Sequence, residues 1–332
     1  MTDRLKLTVC HGERERSGGA FLSDALAGIF ARHRLQTSVV LRGAQGFGAR
    51  QHRRTDRLLT LSEDLPLVSL AIDEPAKIEA AWREVEALAF EGLVTLERAH
   101  STPDEETPAV HEETKLTLYA GRGDHHVAIV DVLHANGVAG ATVLLGVDGT
   151  AHGARRRARF IGRNAGVPLM VLAVGDGERI ARSLAELRTI LRRPVATIER
   201  VRVCKRDGRR LTEPHGPGRH APAWQKLTVF SSERTRVDGR PLYDALTWSL
   251  REAGAAGATS LRGIWGYHGD HAPHGDVLWQ LRRRVPIVSV LVDSPERMRR
   301  WYPIVDELTG EACLVTSEVV PFARRLRSRQ GP

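Results

Sequence analysis

Lys6-Leu-Thr-Val, Lys115-Leu-Thr-Leu and Lys226-Leu-Thr-Val open three copies of one unit, with starts 109 and 111 residues apart. Other markers keep step. Leu41-Arg-Gly-Ala-Gln-Gly-Phe-Gly48 in copy one recurs as Leu261-Arg-Gly-Ile-Trp-Gly-Tyr-His-Gly269 in copy three. Copy two holds a weaker echo, Leu144-Leu-Gly-Val-Asp-Gly149. Apolar runs follow at Leu65-Pro-Leu-Val-Ser-Leu-Ala-Ile-Asp73, Val167-Pro-Leu-Met-Val-Leu-Ala-Val174 and Val285-Pro-Ile-Val-Ser-Val-Leu-Val-Asp293. The copies close on Leu93-Val-Thr-Leu-Glu97, Val195-Ala-Thr-Ile-Glu199 and Leu314-Val-Thr-Ser-Glu318. Lysine is scarce, five against 44 arginines, yet three of the five open the copies. A small domain in triplicate predicts an assembly usually made from three chains and here made from one.

The 332 residues are enough for two or three domains with their own cores. Apolar content of 42% beside 27% charged residues is ordinary for a folded protein. No apolar run approaches the roughly 18 residues that cross a bilayer, and Met1-Thr-Asp-Arg4 lacks a leader pattern, so a cytoplasmic protein is expected. Cys10, Cys204 and Cys313 are odd in number and unpaired by motif, which fits a reducing compartment. A net charge of +9 favours anionic partners, although arginine enrichment also follows from base composition.

Copy three reads most cleanly. Lys226-Leu-Thr-Val-Phe230 alternates as a half-buried strand does. Pro241 suits the first turn of a helix whose stripe is Leu242, Ala245, Leu246, Ser249 and Leu250, and Gly254 and Gly257 end it. A strand over 258–262, a long Gly/His-rich connection, a strand over 286–292, a helix from Ser294-Pro-Glu and a strand over about 313–319 complete the unit. The order is βαββαβ, so the fold class is α+β with three ferredoxin-like units. Right-handed crossovers place both helices on one face of each sheet. The bare faces need cover, and three sheets facing inward as an intrachain pseudo-trimer supply it. The units are bounded at 4–100, 114–204 and 225–321. Linkers at 101–113 and 207–223 join them, and the arginine-rich tail from Ala323 is expected to fray.

Several strings together resemble the DUF190 family: Gly239-Arg-Pro-Leu-Tyr243, Ala256-Gly-Ala-Thr259, Leu41-Arg-Gly43 with Gly46-Phe-Gly48, Leu61-Ser-Glu-Asp-Leu-Pro66, and Val292-Asp-Ser-Pro-Glu296. Copies one and three carry the resemblance strongly, while copy two is degenerate. It lacks the counterparts of Ser17-Gly-Gly19 and Val237-Asp-Gly239, and has Leu145 where Arg42 and Arg262 stand. The resemblance implies the fold of PII signalling proteins, trimers that bind adenine nucleotides in three clefts between subunits. It also implies a long loop after the second strand, the T-loop, that rearranges with the ligand and touches a target. The equivalents here would be residues 44–64, 147–166 and 264–284.

The candidate ligand site follows from residue chemistry. Gly43, Gly46 and Gly48, with Gly263, Gly266 and Gly269, either let backbone N–H groups approach an anion or simply turn the chain. Arg42 and Arg262 can fork onto a phosphate or carboxylate. Phe47 and Tyr267 either stack on a base or cap the core. Arg50, Arg53 and Arg54, then Arg155, Arg156 and Arg157, are either solvated charges or a docking surface for a partner protein. His268, His271 and His274 have no established metal-ligand spacing, so a polar loop is the simpler reading and no metal is assigned. Nucleic acid is not expected, since the basic runs lack interleaved aromatics and no known motif is present. Hydrolase elbow, phosphate-loop and zinc-protease motifs are absent, so no catalytic residue and no cofactor is assigned. The expected function is non-catalytic regulation. A small anionic ligand, an adenine nucleotide by the resemblance, sits in one or two inter-repeat clefts of a monomeric chain, and copy two's degeneracy makes those clefts unequal. The alternative is a ligand-free scaffold whose arginine-rich loops dock on an acidic partner, a membrane transporter among the options.

Overall fold

The computed structural model describes residues 2–48, 53–55, 64–101, 112–121, 126–151, 153–157, 168–191, 194–214, 224–268, 272–275, 285–311 and 313–326. Strands predominate, with six helices among the described residues, so the chain is α+β. Copy one has strands Thr2–Gly12, Thr37–Phe47, Pro66–Asp73 and Gly92–Ser101, with helices Leu22–Arg32 and Pro75–Ala87. Copy two has strands Glu113–Gly121, Gly140–Ala151, Pro168–Asp176 and Val195–Arg200, with helices His126–Ala135 and Gly177–Ile190. In copy three the first strand is Trp224–Ser232 and the second is split into Ala258–Arg262 and Trp265–His268. Strands Pro286–Asp293 and Leu314–Val320 and helices Leu242–Glu252 and Pro295–Leu308 complete it.

Within every copy the first strand pairs antiparallel with the third and fourth, and the second pairs with the third. Helix stripes such as Leu22, Leu26, Ile29 and Phe30, or Met298, Trp301, Tyr302 and Val305, are buried in the helix-side cores. The helix of copy three begins at Leu242, with Pro241 as its extended N-cap rather than its first turn.

The second strands join the copies. In copy one this strand continues past Arg42, and its segment 43–47 pairs with residues 258–261 of copy three. The segment 146–151 of copy two pairs with residues 37–41 of copy one. The segment 265–268 of copy three pairs with residues 140–143 of copy two, closing the cycle. The first residues of the expected T-loops are therefore strand, held by the neighbouring copy.

Glycine makes the exchange possible. A Cβ on Gly43 would lie 2.6 Å from Pro66 Cγ, and one on Gly46 2.6 Å from the Ala258 carbonyl oxygen. Gly146 and Gly149 face Pro168 and Ser38 in the same way, while Gly263 and Gly266 face Pro286 and Ala141. All three copies keep this Gly-x-x-Gly spacing, copy two included.

The residue after the second glycine plugs the adjoining copy. Phe47 is buried in the core of copy three and Tyr267 in that of copy two, its hydroxyl donating to the Val138 carbonyl at 2.9 Å. Thr150 is copy two's plug, bonded to Ser38 Oγ at 3.0 Å.

Chain ends also cross between copies. Arg202–Arg206 adds to copy three's fourth strand, and Phe322–Leu326 adds to copy one's. The tail expected to fray is thus a paired strand through Leu326, because copy one's edge would otherwise expose unpaired backbone groups.

Candidate functional site

The inner sheet faces are built in layers set by register. Lys6, Lys115 and Lys226 stand opposite Glu97, Glu199 and Glu318 on the fourth strands. Two residues on, threonine faces threonine in every copy: Thr8 with Thr95, Thr117 with Thr197, Thr228 with Thr316. Two further on stand Cys10, Tyr119 and Phe230 against Leu93, Val195 and Leu314.

The first layer is a closed ring of six alternating charges. Each lysine meets its own copy's glutamate, at 3.0 Å for Lys6–Glu97, 2.8 Å for Lys115–Glu199 and 3.1 Å for Lys226–Glu318. Each also meets a second copy's glutamate: Lys6 with Glu199, Lys115 with Glu318, Lys226 with Glu97. Burial alone pushes the Glu199 carboxyl up, but Lys115, Lys6 and Lys226 outweigh it and hold it at about 2. Burial likewise opposes ionisation of Glu97, and Lys226, Lys6 and Lys115 hold it well below the usual carboxylate range. Each carboxylate is already occupied by two ammonium groups, so the three glutamates form a salt-bridged ring rather than an open metal site.

Beside the ring lies a chamber of about 530 Å³ that opens at the junction of copies one and three. Its walls are Thr8, Leu70, Tyr119, Met170, Leu172, Phe230 and neighbouring apolar residues, and the lysines of the ring border its far end. Its mouth gathers His11, Arg14, Glu15, Phe47, Gly48, Asp64, Glu91, Ala256 to Thr259 and Arg325. Local bonds shape that rim, with Asp64 accepting from the Arg14 backbone N–H at 2.8 Å and Glu15 from that of Glu91 at 2.9 Å. Cys10 also borders the chamber, where burial, aided by Glu97, pushes its thiol up to about 12. It is thus an inert thiol at neutral pH.

Of the residues singled out from sequence, Phe47 and Gly48 line the chamber. Arg42 and Arg262 do not; they form equivalent ion pairs with Glu13 at 2.8 Å and Glu233 at 2.9 Å. Gly43, Gly46, Gly263 and Gly266 face backbone or proline of adjoining strands, so the space an anion would need at their Cα atoms is filled. Tyr267 is enclosed in copy two's core, its ring edge-on to His134 at 4.8 Å, which leaves no face for a base. The Arg155 guanidinium bonds Asp148 at 2.6 Å and Asp24 at 2.8 Å, and Arg157 reaches Asp24 at 3.0 Å. These two arginines clip copy two to helix Leu22–Arg32 of copy one, which commits them within the chain. Arg50, Gly269 and His271 lie outside the described residues, as do the side chains of Arg53, Arg54 and Arg156. His268 and His274 stand 6.2 Å apart between ring centroids.

Sequence reasoning missed the partners of the lysines. The signal was present, since a glutamate closes the fourth strand of every copy as a lysine opens the first.

The sequence profile of the DUF190 family, described as "Uncharacterized ACR, COG1993", matches residues 4–101, 114–203 and 224–322. A UPF0166 protein of Aquifex aeolicus (strain VF5) is 33% identical over 85 residues, covering 26% of this chain and 78% of its own length. Among solved structures, one is CPII, a nitrogen regulatory PII-like protein from Thiomonas intermedia K12 bound to ADP, AMP and bicarbonate. It aligns at 17% identity over 27% of this chain and 86% of its own, with a TM-score of 0.24. Aspartate kinase from Synechocystis aligns at 11% identity over 96% of this chain and 52% of its own, with a TM-score of 0.26. The chain belongs to the DUF190 family and carries three copies of the family's unit in tandem.

Proposed function

We propose that this chain is a non-catalytic, PII-like regulatory protein, a covalent pseudo-trimer of ferredoxin-like units. It binds a small anionic ligand, with an adenine nucleotide the first candidate, in the chamber between copies one and three. The observation that carries this reading is the chamber itself. Its volume of about 530 Å³ falls within the roughly 300–1,000 Å³ of small-molecule sites. Its lining also draws on three of the strings that carry the family resemblance, through Phe47 and Gly48, Asp64 and Pro66, and Ala256-Gly-Ala-Thr259.

The coupling follows from connectivity. Gly48 and Asp64 both border the chamber and are the two anchor points of the segment 49–63. A ligand touching both Gly48 and Asp64 would bias the rim of the chamber, and a target protein that reads that rim responds to the shifted population. One occupied chamber per chain is expected, since copy two differs at the positions that shape the mouth.

Titration calorimetry of the full chain against AMP, ADP, ATP and cyclic AMP tests the reading. Saturable binding near one site per chain, weakened by Arg14→Ala, supports it. No heat with any nucleotide defeats it and leaves docking of a protein partner as the better account. Three equivalent sites would contradict the placement.

A further inference from the structure

Three inner faces meet around the chamber, and their layer nearest the mouth is unequal. On the first strands it holds Cys10 in copy one, Tyr119 in copy two and Phe230 in copy three, at equivalent positions opposite Leu93, Val195 and Leu314. Tyr119 belongs to a buried apolar cluster shared with copy one, through Val39, Leu41, Val68 and Leu70. Phe230 belongs to a cluster that includes Val174 of copy two, with Val201 and Val203 just beyond that copy's last strand. Each aromatic ring thus helps to seal the junction between its own copy and the preceding one. By the same cyclic rule, the residue placed to seal copy one against copy three is Cys10. A thiol is too small for that task. Among the described residues this junction has a small cluster, Val292, Val320 and Ala323, with Leu93 packed against it. The chamber opens at this junction, and Cys10 is half-buried on its wall, whereas Cys204 and Cys313 are buried. Val68, Leu93, Met170 and Val288 complete an apolar lining for the layer, directly beneath the charged mouth.

We infer that Cys10 is the specificity-determining residue of the chamber. Its thiol leaves room where the other two copies place an aromatic ring, so a ligand's flat apolar ring fits there and completes the layer from copy one's side. Burying that ring against Val68 and Leu93 removes apolar surface from water and favours binding. The ligand's charged group stays at the mouth, since the apolar layer would strip its hydration and offer no partner. The ligand class is therefore an amphipathic anion, one aromatic ring system carrying one acidic group. Copies two and three already fill their places in the layer with side chains, which fits one site per chain. The inference rests on the proposed placement of an anionic ligand in this chamber, and not on that ligand being a nucleotide.

Two substitutions at one position test it. Cys10→Phe supplies the ring from the chain itself, and Cys10→Ser keeps the small volume. Both variants and the full wild-type chain are titrated with anilinonaphthalene sulfonate, an aromatic sulfonate whose fluorescence rises in apolar surroundings, and with ATP by calorimetry. All three proteins are also melted without ligand. The dye is expected to saturate near one site per wild-type chain, to bind Cys10→Ser within a few-fold of that affinity, and to lose about tenfold or more in Cys10→Phe. The melting temperature of Cys10→Phe should match or exceed that of the wild type, because a chamber of about 530 Å³ receives the phenyl ring. Equal affinity of wild type and Cys10→Phe for the ligand that binds overturns the inference; where that ligand is ATP, the nucleotide reading still stands. A Cys10→Phe chain that melts lower also overturns it, since the ring then has no room. Dye binding that depends on Cys10, without ATP binding, supports the inference and removes the nucleotide. If the wild type binds neither, the inference falls together with the ligand reading.

Discussion

Lysine at positions 6, 115 and 226 is a choice made against the grain of a chain with 44 arginines. An ammonium is a compact charge with three donors, and it fits between two carboxylates in a six-membered ring where a planar guanidinium would not. Removing one member leaves a buried charge uncompensated, so Glu199→Gln is expected to destabilise the chain by about 3–5 kcal/mol, read by chemical denaturation. The pH dependence has a defined sign. The folded carboxyl of Glu199 sits at about 2, below its ordinary 4.5, so its contribution is complete above about pH 4.5. That contribution is lost as pH falls from there towards 2, and the acid limb of the stability curve should flatten in Glu199→Gln. An unchanged acid limb would show that the ring is not the group being titrated. At this scale the sequence displayed every ring residue, but nothing local says that residues 193 positions apart, Lys6 and Glu199, touch.

Elements show where a motif's meaning depended on its surroundings. Gly-x-x-Gly beside an aromatic reads from sequence as an anion cradle or as a turn of the chain. The contact of Gly46 with the Ala258 carbonyl shows a third role, a strand passing close to another backbone. Gly46→Ala should therefore cost about 1–3 kcal/mol, the range for overpacking, with the loss centred on the pairing of copies one and three. Hydrogen exchange at residues 43–47 would detect it, and full protection there would contradict the assignment. The tail gives a second case. Deleting residues 322–332 uncovers the Gly92–Leu96 edge, so the shortened chain should self-associate, seen as concentration-dependent mass in light scattering. The strand–helix order of each copy was legible from periodicity and punctuation. The tail strand was not, because its arginines look solvated until an edge is placed beside them.

As a whole molecule, the chain closes a cycle that no single copy can close. Each inner face presents a lysine, a glutamate and two threonines, a polar stripe that is stable only when two other faces complete it. Copy one alone, residues 2–101, should accordingly be unfolded or oligomeric, whereas the full chain should remain a monomer across concentrations. A stable monomeric copy one in sedimentation would refute this. The sequence by itself determined the number of copies and the α+β class, because repeats and the periods of two and 3.6 are local properties of the chain. Tertiary structure alone decided that the lysines and glutamates form one ring, that the motif glycines serve strand exchange, and that the chamber opens between copies one and three. Those facts depend on which backbones approach across a hundred or more residues, and on burial, which turns an ordinary lysine into a committed charge.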